Sequence, residues 1–482
     1  MGDIKGFMKY GRVDFKKEPV TERVKHWKEF YKSLPEEELR KQGGRCMDCG
    51  VPFCQEGCPI GNIIPDWNDL VYRDQWRDAI ERLHRTNNFP EFTGKICPAP
   101  CENACVLAIN QPAVTIKNIE IAIIERAYER GWIKPYPPRI RTGKRVAVIG
   151  SGPAGLTVAD QLNKAGHRVI VFEKSEALGG LLTLGIPDFK LEKWVVERRL
   201  DIMRKEGVEF RTGVHVGVDI SAQKIREEYD AMVLCGGAEK PRDLEVPGRE
   251  LGGIHFAMDY LTQQNLLNMG FPIDSAPRLT AAGKRVIVLG GGDTGSDCIG
   301  TANRQGARSI LQYELLPEPP QERAQDNPWP QWAFVLRTST SQEEGVERDY
   351  NILTQHLSGE KGQLKKLHAV RLEWGPRDPK TGRSSMREIP GSAFEVEVDL
   401  LLLAMGFTGA VRKGMLDELG VETDGRGNVK HDENKMTSVP GVFTAGDMAR
   451  GQSLVVWAIQ EGRRAAVGVD KFLMGKTELV SV

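Results

Sequence analysis

Seven of the nine cysteines in this 482-residue chain fall between Cys46 and Cys105, spaced as Cys46-x2-Cys49-x4-Cys54-x3-Cys58-Pro59 and Cys97-x3-Cys101-x3-Cys105. Thiolates two to four residues apart are what soft metals demand, and a 4Fe-4S cube takes four of them. Seven ligands therefore fill one cube and leave a second short by one. The same thiolates would fill one four-cysteine zinc site and most of another, so the count alone leaves zinc open. The remaining two, Cys235 at a strand end and Cys298 on a helical stretch, read as small buried apolar residues.

Two glycine-rich loops lie downstream. Gly150-Ser-Gly152-Pro153-Ala154-Gly155 closes an apolar run and opens a helical pattern. Such a loop lets its backbone approach a pyrophosphate, and the helix N-terminus behind it offers N–H donors and partial positive charge. The next apolar run ends in Glu173, 23 positions after Gly150, placed to accept hydrogen bonds from an adenosine ribose. Just beyond come Gly180 and Leu181, in a stretch that resembles the place where flavoproteins of two-dinucleotide type bring a second backbone segment to the cofactor. Gly290-Gly-Gly292-Asp293-Thr294-Gly295 repeats this grammar, with Glu314 closing its next strand 24 positions after Gly290. An acid there suits a ribose 2'-hydroxyl and repels a phosphate, which favours NADH, whereas Arg304 or Arg308 would hold the 2'-phosphate of NADPH. Near the end, Gly446-Asp447 puts a carboxylate at a strand-to-helix turn, beside the ribityl chain of a flavin.

The first loop and this last turn must serve one cofactor, so the first dinucleotide domain is split and the second is inserted into it. The expected domains are a helical one binding two 4Fe-4S clusters over residues 1–140, an FAD-binding one over 141–250 and 395–482, and an NAD(P)H-binding one over 251–394. Helical patterns at 67–83 and 116–128 belong to the first. Short apolar runs at 144–150, 167–173, 230–235, 283–290, 309–313 and 400–407 predict buried parallel strands, and 453–462 predicts a helix. Residues 315–395 read as loop-rich, with five prolines between Pro317 and Pro330 and a hairpin-like stretch at 375–382. The fold class is thus α/β: a helical iron-sulfur domain followed by two Rossmann-like dinucleotide-binding domains.

Composition excludes other classes. Lysine plus arginine equals aspartate plus glutamate at 66 each, so no net field recruits nucleic acid or an anionic membrane. No stretch approaches the roughly 18 apolar residues of a membrane span. The first fifteen residues lack a signal-peptide core, and Gly6 stands where a myristoylation motif carries Ser or Thr. A cytoplasmic address is expected, where thiols stay reduced and clustered cysteines serve as metal ligands.

Four longer motifs sharpen the reading: Arg45-Cys46-Met-Asp-Cys49-Gly-Val-Pro-Phe-Cys54, Asn88-Phe-Pro-Glu-Phe-Thr-Gly94, Cys97-Pro-Ala-Pro-Cys101-Glu and Gly451-Gln-Ser-Leu-Val-Val-Trp457-Ala-Ile. With them the chain resembles, essentially end to end, the small subunits of glutamate synthase. More broadly it resembles the FAD and iron-sulfur module shared with dihydropyrimidine dehydrogenase and the ferredoxin-NADP transhydrogenases. The resemblance implies FAD in the first nucleotide domain, NADPH or NADH in the second, and two 4Fe-4S clusters. It implies Cys46, Cys49, Cys54 and Cys105 for one cluster, and Cys58, Cys97 and Cys101 for the other. A relative supplies a glutamine ligand at the end of the stretch matching Pro112-Ala-Val-Thr-Ile-Lys-Asn-Ile-Glu120, so Glu120 is the implied eighth ligand. His84, on an amphipathic helix away from the cysteines, is the weaker alternative. The run Gln312-Tyr-Glu-Leu-Leu-Pro317 is similar to NADH-using eukaryotic forms, where many bacterial relatives carry a basic run. The implied activity is electron input: a nicotinamide is oxidised by stacking on the flavin, with no catalytic side-chain acid or base. Electrons then pass through the clusters to a large subunit that makes L-glutamate from L-glutamine and 2-oxoglutarate. An electron-transfer subunit of another oxidoreductase, a transhydrogenase or pyrimidine reductase, would share every motif and is the alternative.

Overall fold

In the computed structural model, which describes residues 2–272, 277–377 and 384–480, the cysteine loops hang between short helices. These are α1 (Glu36–Gly44), α2 (Ile64–Tyr72), α3 (Trp76–His84), α4 (Pro90–Ile96) and α5 (Ile116–Glu129). The pattern at 67–83 is two helices rather than one. Asp74 adopts a left-handed φ of 64° between them, and its carboxylate accepts from Trp76 Nε1 at 2.8 Å, so the apolar spacing continues across a turn. Trp67, Val71, Ile80, Leu83, Ile119 and Ile123 merge into one buried core.

The first nucleotide unit follows with β1 (Arg145–Ile149), α6 (Pro153–Lys164), β2 (Arg168–Phe172), α7 (Lys193–Glu206), β3 (Glu209–Arg211) and β4 (Ala231–Leu234). The second contains β5 (Ile254–Phe256), α8 (Ala257–Asn268), β6 (Arg285–Leu289), α9 (Asp293–Arg304), β7 (Ser309–Tyr313) and β8 (Glu347–Asp349). Then come β9 (Ile352–Glu360), β10 (Gln363–Arg377), β11 (Ser384–Glu388), β12 (Phe394–Glu397), β13 (Leu400–Leu403), β14 (Val442–Thr444) and α10 (Val455–Met474).

Two five-stranded parallel sheets result. The first runs β14-β4-β1-β2-β3, so a strand from the far end of the chain pairs beside β4, and α10 packs back onto α6. The second runs β8-β7-β6-β13-β5. Here the expected boundary at 395 moves: Leu400–Leu403, assigned above to the flavin domain, is a central strand of the second sheet, paired with both β6 and β5. Its four leucines are all buried, as a strand covered on both faces requires.

Residues 315–395 also differ from expectation. The loop occupies only the first part; β9 to β12 then form an antiparallel sheet in which the long β10 pairs with β9, β11 and β12. It buries Leu357, Leu364 and Leu367 against Ile287, Leu289 and Leu403 on one face of the second sheet, while α8 and α9 cover the other. Its outer residues are mostly polar, and every residue of β11 is exposed, which hid the strands from an apolar-run search. The tip of the hairpin-like stretch at 375–382 lies outside the described residues.

The helical domain is not a separate bead. Its core is continuous with α6, α7, α10 and the first sheet. Arg199 on α7 pairs with Glu91 on α4 at 2.5 Å, both buried. Arg463 on α10 donates to Asn88 Oδ1 at 2.8 Å, and Gln460 to the Pro59 carbonyl at 2.6 Å.

Candidate functional site

The first loop has the geometry of a phosphate cradle. A Cβ on Gly155 would lie 2.0 Å from the Gly150 carbonyl oxygen, so only glycine lets the first turn of α6 pack against the end of β1. Gly152 faces open space, and Pro153 and Ala154 begin the helix behind it. Glu173 does not stand free at the strand end. Its Oε2 accepts from the Ser151 amide at 3.0 Å and the Ser151 hydroxyl at 2.6 Å, and Oε1 accepts from the Ser175 amide at 3.0 Å. Ser151 Oγ in turn accepts from the Gly179 amide at 2.9 Å, tying the Gly180-Leu181 segment to the loop. Gly180, with φ of 55°, sits against Gly152: a Cβ there would come 2.9 Å from the Gly152 Cα. Gly446 lies over Ala154, so the last turn reaches the same cradle. Asp447 accepts from Ser453 Oγ at 3.0 Å, and burial pushes its carboxyl up to about 6. Hydroxyl donors on a bound group would offset that desolvation.

The second loop repeats the cradle. A Cβ on Gly295 would come 2.3 Å from the Gly290 carbonyl, while Gly292 is open and Asp293 and Thr294 start α9. The Glu314 carboxylate is folded over Gly291, where an added Cβ would overlap it at 1.1 Å, and burial raises its pKa. The two arginines fare differently from expectation. Arg304 is buried, stacked 3.7 Å from the Phe189 ring centroid and paired with Glu344 at 2.6 Å; Glu344 also accepts from buried Arg23 at 2.8 Å. It clamps the N-terminal segment to α9 through the His26 carbonyl and Glu344, which with the Gly300 carbonyl take four of its five N–H donors. Arg308 is exposed and precedes the first residue of β7, with its amide bonded to the Lys284 carbonyl. That is the opposite end of the strand from Glu314, about 20 Å away at the usual strand rise, while dinucleotides bind at the carboxyl ends.

The cysteines form two rings. Cys46, Cys49, Cys54 and Cys105 line one cavity, with Asn68 and otherwise apolar side chains. Cys58, Cys97, Cys101 and Glu120 line a second, together with Lys117, Thr93 and Val456. Every thiol is free, and all but Cys49 are buried. Burial pushes Cys46 to about 11 and Cys54, Cys58 and Cys97 to about 12, so these thiols are neutral unless a metal claims them. Backbone amides already point at the sulfurs: those of Ile60, Gly61 and Asn62 favour the Cys58 thiolate, and the Ala99 amide donates to Cys97 Sγ at 3.4 Å. Glu120 is buried, its Oε1 accepting from Asn87 Nδ2 at 2.8 Å and Thr93 Oγ1 at 2.7 Å, and burial raises it to about 7. Among the described residues no three such side chains converge as a single bound ion demands. Four groups around a cavity fit instead a cube, which takes one ligand at each iron. His84 lines neither cavity; it packs by Arg199, Lys164 and Asp160, and burial with those two cations lowers it to about 3.

Comparisons with known proteins agree with this geometry. Residues 144–462 match the family described as Pyridine nucleotide-disulphide oxidoreductase, and residues 23–132 match Dihydropyrimidine dehydrogenase domain II, 4Fe-4S cluster. The chain is 54% identical to the protein named Glutamate synthase [NADPH] small chain of Mycobacterium tuberculosis, over 99% of this chain and 98% of that one. It belongs to the glutamate synthase small-chain family. The Bacillus subtilis protein of that name is 47% identical over 99% of this chain and all of its own length. Glutamate synthase [NADH] of Schizosaccharomyces pombe is 49% identical over 99% of this chain, which corresponds to 23% of that longer protein. Among solved structures, Mycobacterium tuberculosis FprA in complex with NADPH is similar at a TM-score of 0.55 and 17% identity, over 69% of this chain and 85% of that one, a likeness of fold.

Sequence reasoning missed several contributors to the small-chain site. Ser151, inside the glycine motif, links Glu173 to the Gly179-Gly180 segment. Asn87 and Thr93 hold Glu120, and Asn68 and Lys117 line the cysteine cavities. Ser151, Thr93 and Lys117 lay inside quoted motifs and Asn68 and Asn87 did not, but polar side chains carry no signal until the fold shows which way they face.

Proposed function

We propose that this chain is the electron-input subunit of a glutamate synthase, oxidising NAD(P)H and delivering electrons to a large subunit that makes L-glutamate from L-glutamine and 2-oxoglutarate. The observation that carries the reading is the pair of thiol-lined cavities, the second of them built against the flavin half: Val456, on the helix that follows Asp447, lines it. When bound, FAD converts a two-electron hydride into single electrons, and 4Fe-4S clusters conduct them. In this reading Gly150, Gly152 and Gly155 receive the FAD pyrophosphate and Glu173 orders the ribose end. Asp447 accepts from the ribityl hydroxyls, and Gly290, Gly292 and Gly295 receive the nicotinamide dinucleotide. The two cavities hold one cluster each, with Glu120 as the non-cysteine ligand. The side chains orient and exclude water; none is required to move a proton.

Two relatives above are named for NADPH and one for NADH. The Glu314 carboxylate over Gly291, with Arg304 clamped and Arg308 at the far strand end, supports NADH for this chain. No described helix is long and apolar enough to cross a membrane; the free thiols accord with a cytoplasmic address. The purified chain tests the reading: it should show flavin bands with broad iron-sulfur absorbance and reduce artificial dyes with a nicotinamide. It should form glutamate from glutamine only when a large subunit is added. A colourless protein, or glutamine-dependent synthesis by the lone chain, would refute it.

A further inference from the structure

The first cysteine cavity holds one polar side chain that the electron path leaves unused. Asn68, on α2, is fully buried, and neither its amide nitrogen nor its amide oxygen has a hydrogen-bond partner. It lines the cavity with Cys46, Cys49, Cys54 and Cys105, and every other lining side chain is apolar. It lies beside the Cys46 thiol, near enough to favour the thiolate but without the alignment of a hydrogen bond.

Packing fixes this placement. A Cβ on Gly43 would come 2.7 Å from the Asn68 carbonyl oxygen, so α1 and α2 touch through a glycine. The Cys46 amide then bonds the Gly43 carbonyl at 3.1 Å, leading the first ligand off the end of the same helix. Amide and thiol are thus held by one rigid contact. An amide left unpaired in apolar surroundings costs about 1–3 kcal/mol, so whatever fills the cavity is the natural partner.

We propose that Asn68 donates an N–H···S hydrogen bond to the 4Fe-4S cluster held by these four cysteines, through Cys46 Sγ or a cluster sulfide, and raises its reduction potential. The inference rests on the reading that a cluster occupies this cavity. One-electron reduction adds a negative charge to the cluster, and a donor to its sulfur stabilises the more negative state. Cys49 is the one half-exposed thiol of the seven, so the bond draws electrons toward the cluster nearer the surface.

The test compares Asn68→Val and Asn68→Thr in the full-length chain with its iron and flavin. The two variants have nearly the same shape and differ in one hydroxyl donor. In redox titrations followed by electron paramagnetic resonance, Asn68→Val should weaken reduction of one cluster about tenfold, about 59 mV for a one-electron couple. The other cluster should be unchanged, and Asn68→Thr should recover part of the shift. Equal potentials in the two variants at full iron content would overturn the proposal. So would loss of one cluster from both, which would make Asn68 an assembly element. A wild-type chain carrying only the second cluster would instead overturn the underlying reading of the cavity.

Discussion

Replacing Glu314 with alanine tests how the second nucleotide domain chooses its cofactor. The carboxylate closes β7 and lies over Gly291, the middle glycine of the loop. A hydrogen bond from a ribose hydroxyl to a charged acceptor contributes about 1.5–3 kcal/mol, so its loss should lower kcat/KM for NADH by about 10- to 150-fold. A 2'-phosphate about 6 Å from the carboxylate is repelled by about 3 kcal/mol at an effective dielectric of 20. Glu314 is only partly buried, and solvent and salt reduce this by about half, leaving about tenfold to be regained with NADPH. The NADH-to-NADPH ratio should therefore fall by about 100-fold or more. Steady-state dye reduction by the full chain with each nucleotide, before and after Glu314→Ala, reads this directly. A wild-type chain that prefers NADPH, or a ratio that survives the substitution, would show that selection lies elsewhere.

Glu120→Ala should remove one of two clusters, so iron and sulfide content falls by about half while flavin content holds; retention of both clusters would make Glu120 a packing residue. Arg304→Ala breaks a buried ion pair and should cost about 3 kcal/mol in denaturant unfolding with no change in NADPH KM; a selective rise in that KM would restore the arginine to the cofactor site. His84 gives a pH signature. Its folded pKa, lowered to about 3, lies below the ordinary 6.5, so the unfolded chain takes up the proton first and stability is lost as pH falls from 6.5. At pH 5 the loss is about 2 kcal/mol, and His84→Gln should flatten that part of the stability curve; an unchanged acid limb would place His84 in contact with solvent.

What could be read from the sequence was whatever is local. The cysteine spacings, both glycine loops and the apolar strands that precede them are continuous stretches whose chemistry sits in neighbouring residues. The structure brings the distant ends together as the split domain demands, with β14 beside β4. The misses arise where the deciding contact is remote. Leu400–Leu403 reads as a buried strand in either sheet, and only its pairing with β6 and β5 says which. Arg304 looked available because its partners, Glu344 and the segment around Arg23 and His26, lie 40 and more than 270 residues away. The antiparallel sheet of β9 to β12 was lost because alternation with a solvated face is a weaker signal than a leucine run.

The same remoteness explains why α10 matters more than its plain helical pattern suggests. Its approach turn carries Asp447 and Ser453, its first turn puts Val456 against the second cysteine cavity, and Gln460 and Arg463 then bond the Pro59 carbonyl and Asn88 of the helical domain. One rigid element therefore spans from the turn beside the first glycine loop to the loop that carries Cys58. Electron transfer needs a fixed separation between donor and acceptor, and a flexible linker between separate domains would not supply it. Inserting the second nucleotide domain into the first leaves α10 free to return to α6 and close this contact. In the proposed reading, the split is the topological condition for holding a flavin and a cluster on a single helix.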